Sequence, residues 1–190
     1  MKTPRLLLPL TLGCALVFSG CNRGDKATGA AAASGGAPGA PTIALVVKTL
    51  NNPFFIEMQK GAEDAAKKLG VNLVVQAADR EVDVERQMQI IENLIERKVN
   101  ALCVAPSGSR EIVPVIVKAN KAGIPVLVVD TRADEKALAA AGGKIATFIG
   151  SDNFDGGKIA GAFVVEKLGG KGSVAVLEGI PGHETGDARL

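Results

Sequence analysis

The chain has 190 residues, 47% of them hydrophobic, with 22 Lys and Arg against 20 Asp and Glu. That is enough apolar material for a sizeable core, and such a balance of interspersed charges argues against a nucleic-acid surface. Six Phe are the only aromatic residues, and one His among three Cys offers no cluster for a metal.

The first 21 residues read as targeting sequence rather than fold. Lys2 and Arg5 form a positive n-region, and residues 6–18 are an apolar run of signal-peptide length. The run is too short and too interrupted by Pro and Gly to span a bilayer. It ends in Val17-Phe18-Ser19-Gly20-Cys21, small residues before a Cys that look like a bacterial lipobox. Cys21 would then become the lipidated N-terminus of an anchored protein. Phe18 stands where such boxes usually carry Leu, so an ordinary secretory signal is the runner-up. Asn22, in place of an Asp, favours an outer membrane where the cell has one. Residues 22–41 are mostly Gly, Ala, Ser and Pro. They bury too little to offset their ordering entropy and are expected to be a flexible linker.

Lys2 and Arg5 are the only charges before Cys21, so removing them from the 22 bases leaves 20 against 20 acids. A neutral mature domain suits a small, uncharged ligand. Cys14 falls in the signal and Cys21 at its end, leaving Cys103 alone in the domain. No internal disulfide is possible, and Cys103 reads as a small buried hydrophobe.

From Thr42 onward strands and helices alternate. Residues 42–48 are a continuous apolar run, as in a strand covered on both faces. Residues 52–69 read as a helix with Phe55, Met58, Ala62, Ala65, Ala66 and Leu69 inward and Gly70 as its stop. Residues 71–76 are a second strand, and 82–98 a helix with Val84, Met88, Ile91, Leu94 and Ile95 at helical spacing. A third strand spans 101–105. A third helix spans 109–122 with Ile112, Val113, Ile116 and Ala119 inward, its first turn made irregular by Pro114. Strands follow at 124–129 and 144–149, then a helix at 155–168 and a sixth strand at 173–178. No repeat of 20 to 50 residues interrupts this order. Such alternation means βαβ units: an α/β, doubly wound parallel sheet with right-handed crossovers. A boundary is expected near Ser151, with a full domain at 42–150 and only the start of a second at 151–190. The chain therefore reads as a fragment of a longer one.

In such a sheet, ligands lie beyond the carboxyl ends of the strands. Asn51-Asn52-Pro53-Phe54-Phe55 stands at that end, between the first strand and its helix. Asn52 can cap the helix, and Pro53 suits its first position. The amide could also bind hydroxyls, and Phe54 and Phe55 could stack on the C–H face of a sugar. A plain cap followed by two core aromatics is the competing reading. Asp130 follows the fourth strand at the same sheet end, where its carboxylate could accept two hydroxyl hydrogen bonds. Arg132 could orient it or bind a ligand oxygen; a loop Asp that caps the next turn is the plain alternative. Ser151-Asp152-Asn153 reads as the cap of the next helix, or as polar groups at a hinge. His183 falls in the loop after the sixth strand and reads as an exposed, inert side chain. Arg189 could hold sugar or carboxylate oxygens, a solvated Arg being the default.

Enzyme signals are missing. No phosphate-binding loop, no G-x-G-x-x-G after the first strand and no G-x-S-x-G elbow occurs. No catalytic residue, metal or cofactor is therefore expected.

These motifs together resemble a known family. Ile43-Ala44-Leu45-Val46-Val47, Leu50-Asn51-Asn52-Pro53-Phe54-Phe55, Gly61-Ala62 and Leu69-Gly70 are similar to the N-terminal lobe of type I periplasmic sugar-binding proteins. These are the ribose-binding protein group, relatives of the LacI-family sensor domains. Ala122-Gly123-Ile124-Pro125-Val126, Asp130, Ser151-Asp152-Asn153 and Gly156-Gly157-Lys158-Ile159-Ala160-Gly161 continue the likeness to Leu190. The resemblance implies a two-lobed monomer that captures a monosaccharide and delivers it to an ABC permease. It implies a periplasmic or cell-surface location, lipid-anchored to a bacterial membrane. It carries ligand contacts onto Asn52, Phe54, Phe55, Asp130 and, in the second lobe, Arg189. Two positions depart from the ribose-binding pattern: Thr131 separates Asp130 from Arg132, and Ala105 precedes Pro106. The alternative is a sensor presenting a sugar or autoinducer to a membrane receptor.

Overall fold

The computed structural model describes residue 36 and residues 39–190. The expected signal sequence, the expected lipidation site Cys21 and most of the expected linker lie outside the described residues.

Five strands form one sheet in the order β2-β1-β3-β4-β5, all parallel. They are β1 (Thr42–Thr49), β2 (Asn72–Ala78), β3 (Ala101–Val104), β4 (Val126–Val129) and β5 (Thr147–Ile149). The helices are α1 (Pro53–Leu69), α2 (Val84–Glu96), α3 (Val113–Lys121), α4 (Glu135–Ala140), α5 (Asn153–Lys167) and α6 (Glu184–Asp187). The expected doubly wound α/β sheet is present. Among the described residues no helix is long and apolar enough to cross a membrane.

Successive residues of a strand face opposite sides, so a strand covered on both must be apolar throughout. Along β1, Ala44 and Val46 enter one core with Ile91 and Leu94 of α2 and Ile116 of α3. Leu45 and Val47 enter the other with Phe55 and Ala66 of α1. Each such Leu, Ile or Val contributes about 1.5–3 kcal/mol by leaving water. Cys103 is half-buried against the α1 side, where burial pushes its thiol pKa up, as a packing role requires.

Helix α1 starts and stops as its residues dictate. Asn52 accepts a hydrogen bond from the Phe54 N–H at 3.0 Å, and Pro53 occupies the first turn. Gly70 ends it in the left-handed conformation, φ 67°, with its N–H on the Ala66 carbonyl. Two residues expected inward are not. Ala65 is exposed because it lies about 80° around the helix from Phe55 at 100° per residue. Leu69, the last helical residue, is 74% exposed. Helix α3 begins at Val113, later than expected, because Pro114 must sit in the first turn and residues 107–112 coil ahead of it.

Gln87 is the buried polar residue that the helical pattern concealed. Its side-chain amide donates to the carbonyls of Ala105 at 2.9 Å and Val47 at 3.4 Å, and its oxygen accepts from the Ser107 N–H at 2.8 Å. One side chain of α2 thus ties together the carboxyl ends of β1 and β3. Asn72 acts similarly at the opposite end of the sheet. It accepts from the Gly36 N–H at 2.7 Å and donates to the Ala40 carbonyl at 3.0 Å, holding the segment before β1.

After β5 the pattern changes. Asp152 caps α5 by accepting from the Asp155 N–H at 2.9 Å, the capping reading of its motif. The apolar face of α5, with Ile159, Phe163 and Val164, is exposed, as are Val174 and Val176. Residues 173–178, expected as a sixth strand, are not one. A strand exists only through its ladder, and no neighbouring strand pairs with them among the described residues.

Gln87→Leu keeps the volume but leaves the buried Ser107 N–H and Ala105 carbonyl without partners. The expected loss of stability is roughly 2–4 kcal/mol in urea unfolding. Unchanged stability would mean that the two strand ends need no tie.

Candidate ligand-binding site

The carboxyl ends of β1 and β4 lie two strands apart, and the gap between them is bridged by charge. Lys48, near the end of β1, is 4% exposed. Its ammonium donates to Thr131 Oγ1 at 2.8 Å and sits 3.4 Å from Asp130 Oδ2. The Thr131 hydroxyl in turn donates to Asp130 Oδ2 at 2.9 Å. The Phe55 ring lies beneath, its centroid 5.9 Å from the ammonium. A buried ammonium must be paired and hydrogen-bonded to be tolerated, and these groups supply both.

The backbone at Asp130 is bent to make this possible. Its φ is 62°, in the left-handed region, and the Thr131 N–H donates to the Val129 carbonyl at 2.7 Å. This is a γ-turn centred on Asp130, a conformation that Asp tolerates better than most side chains. Its own N–H donates to the Ile149 carbonyl of β5 at 2.9 Å. Gly150 lies close beside it: a Cβ there would press on the Phe148 ring and come within 3.1 Å of the Asp130 carbonyl, so a side chain at 150 needs the ring to shift. Strain of this kind concentrates where a side chain has to be aimed.

Asn52 uses its oxygen for the helix cap and its nitrogen for Glu81 Oε1, at 2.8 Å. The two phenylalanines diverge. Phe54 is 53% exposed and Phe55 is 2% exposed, their rings edge to face with centroids 5.2 Å apart. Only Phe54 therefore presents a free aromatic face.

The segment after α5 returns over this sheet end. Lys48 and Glu81 on one side and Glu178, His183, Thr185 and Arg189 on the other line a cavity of about 310 Å³. That volume is at the lower end of the range for small-molecule sites, roughly 300–1,000 Å³. The structure thus brings Asn52, Phe54, Phe55 and Asp130 to one sheet end, and Arg189 lines this cavity with Lys48; Asn52, Phe54, Phe55 and Asp130 are not among its lining residues. Arg132 is not brought there. Its guanidinium stacks 3.9 Å from the Phe148 ring centroid and pairs with Glu135 at 3.8 Å, lining a separate cavity. Thr131, not Arg132, is the neighbour that hydrogen-bonds the Asp130 carboxylate.

Three residues of the site were missed in the sequence. Lys48 closes the apolar run 42–48 and was given no role of its own, although a charge closing a buried strand is itself a signal. Glu81 carries no signal. His183, expected exposed, is 8% exposed, buried by the turn that precedes α6. Its burial and the nearby Lys48 charge hold its pKa below the usual imidazole value. A larger cavity, about 600 Å³, lies against α5 and is lined mainly by Gly, Ala, Val and Leu. It has few groups to meet a polar ligand. No group of acidic, His or Cys side chains suited to a metal occurs among the described residues.

Residues 43–190 match the family model described as a periplasmic binding protein domain. The chain is 41% identical over 141 residues to the ribose import binding protein of Bacillus subtilis, covering 74% of this chain and 43% of that one. It is 38% identical over 151 residues to the D-allose-binding periplasmic protein of Escherichia coli, covering 79% and 49%. A solute-binding protein of an Actinobacillus succinogenes ABC transporter, solved with bound D-allose, superposes with a TM-score of 0.73 at 46% identity, covering 78% and 52%. The corresponding protein of Agrobacterium vitis with bound D-fucose gives 0.72 at 32% identity, covering 78% and 50%. These are binding proteins rather than enzymes. The chain spans about half the length of the curated relatives it matches.

Asp130→Ala strands a buried ammonium and places Ala in a left-handed turn. The expected destabilisation is roughly 3–5 kcal/mol in urea unfolding, with Asp130→Asn losing clearly less. Equal stability of all three proteins would show that Lys48 does not depend on this partner.

Proposed function

The chain belongs to the periplasmic binding protein family, and we propose that it captures a monosaccharide at the Asp130 end of the sheet for ABC-type import. The supporting observation is the set of groups at that end. Asp130 is a carboxylate aimed by a strained turn and held by a buried Lys48, with the exposed Phe54 ring on the same side. Carboxylate and ammonium together accept from and donate to adjacent hydroxyls, and an aromatic face covers the C–H side of a sugar ring. The relatives that bind D-allose and ribose support this class of ligand. Their names place them with import and the periplasm, and we assign this chain the same setting.

Ligand contacts are assigned to Asn52, Phe54 and Asp130 on one wall and Arg189 on the other, with Phe55 as the buried floor. We place the boundary between the walls near Ser151, the chain then comprising a first lobe at 42–150 and the opening of a second. Anchoring through Cys21 and a monomeric state complete the proposal. The alternative of a sensor domain finds no support among these relatives.

Calorimetric titration of the full-length protein with D-allose, D-ribose, D-fucose and D-arabinose tests the reading. At least one should bind, and Phe54→Ala and Asp130→Asn should each weaken it roughly 10- to 100-fold, the first by losing a stacking face and the second a charged hydrogen bond. Binding that survives both substitutions removes the site. Heat from an amino acid and from none of the sugars removes the ligand class.

A further inference from the structure

The 22 basic and 20 acidic residues nearly cancel, but the fold sorts them by end. All five strands are parallel, so each helix that crosses between them ends where the next strand begins. That amino end gathers Lys67 and Lys68 from the last turn of α1, Arg97 and Lys98 after α2, Lys121 from the last turn of α3 and Lys144 ahead of β5, all exposed. Glu96 is the acid that interrupts them, and Glu92 is matched by Lys118 at 3.0 Å. The carboxyl end, where the ligand site lies, holds Asp79, Glu81, Asp83, Asp130, Asp134 and Glu135.

Helix C-termini favour cations, and that accounts for Lys67, Lys68 and Lys121. It does not account for two other features. After α1 and α3 the left-handed backbone is taken by glycines, Gly70 at φ 67° and Gly123 at φ 75°. After α2 it is taken by Lys98, φ 56°, where a side chain is strained and a glycine is not. Leu69 is 74% exposed beside Lys67 and Lys68, an apolar side chain set in a basic surface. The chain ahead of β1 also arrives at this end. The Asn72 N–H donates to the Pro41 carbonyl at 2.9 Å, and the Thr42 N–H donates to Asn100 Oδ1 at 2.7 Å. With the anchor proposed at Cys21, the amino end is the one held nearest the bilayer.

We infer that the amino end of the sheet is a membrane-facing surface that docks on anionic phospholipid, its bases at the headgroup phosphates and Leu69 entering the interface between them. Basic residues are drawn to an anionic leaflet, and an apolar side chain among them adds its own burial. An acidic protein surface would meet the bases but offer Leu69 no apolar phase. The inference extends the proposed anchoring and is independent of the sugar. In this orientation the acidic carboxyl end points away from the lipid and leaves the ligand site open to solutes.

The chain contains no Trp, so Leu69→Trp places a single indole on this face. The full-length protein carrying it is bound to vesicles of phosphatidylcholine, alone or mixed equally with phosphatidylglycerol, with brominated acyl chains as quencher. The indole should be blue-shifted and quenched on the anionic vesicles only, and about 0.5 M NaCl should reverse this by screening. Val82→Trp, at the carboxyl end, should stay unquenched on both. Adding Lys98→Gly to Leu69→Trp relieves the backbone, so stability in urea holds or rises, while the ratio of docked to undocked protein falls roughly fivefold. Lys67→Gln, Lys98→Gly and Lys121→Gln together should lower that ratio roughly 100-fold. Equal quenching on both vesicle types, quenching on neither, or quenching that survives the triple substitution overturns the inference. Failure to sediment with neutral vesicles overturns the anchor alone, and the anionic vesicles still read the face.

Discussion

The arrangement depends on neutralising one ammonium group. Lys48 ends a run of apolar residues in the central part of a parallel sheet and is only 4% exposed. An uncompensated charge there would cost several kcal/mol. The compensation comes from 82 residues further along the chain, at Asp130, with Thr131 as the second acceptor. To reach it, the chain leaves β4 through a left-handed γ-turn at Asp130, with Gly150 packed close beside it. A single electrostatic need thus fixes the exit of β4 and the approach of β5. It also fixes the direction of the carboxylate that the proposed function uses.

The rest of the sheet end is held by groups that no ligand has to touch. Gln87 pins β1 to β3 from one side, and the Asn52 cap and its bond to Glu81 fix the start of α1 on the other. Phe55 closes the floor. These fixed positions are what a sugar site requires, because hydroxyl recognition needs donors and acceptors set before the ligand arrives. Phe54 and the cavity-facing side chains are then free to meet solvent or ligand.

Much of this was legible in the sequence. The β1 run, the cap-and-Pro start of α1, the Gly70 stop and the apolar stripe of α2 are local signals, and each found its place. The features that were not legible are those decided by distant partners. Lys48 is ordinary as a strand end until Asp130 is seen beside it. Gln87 lies among the polar residues of an amphipathic helix, and only its position over two strand ends makes it structural. His183 is buried by a fold of the loop that nothing in Gly179-Ile180-Pro181-Gly182 specifies. Residues 173–178 have strand composition, yet a strand is a property of a pair. The resemblance to sugar-binding proteins rested on the α1 corner and Asp130. It carried over the Arg189 position, but Arg132, read from proximity in sequence alone, turns to Phe148 instead.

The most direct test of the account is a crystal structure of the full-length protein with D-allose or D-ribose bound. The account predicts sugar hydroxyls within hydrogen-bond distance of both Asp130 and Lys48, with the ring's C–H face against Phe54. A sugar bound against the apolar face of α5, or one that leaves the Asp130–Lys48 pair untouched, would contradict it.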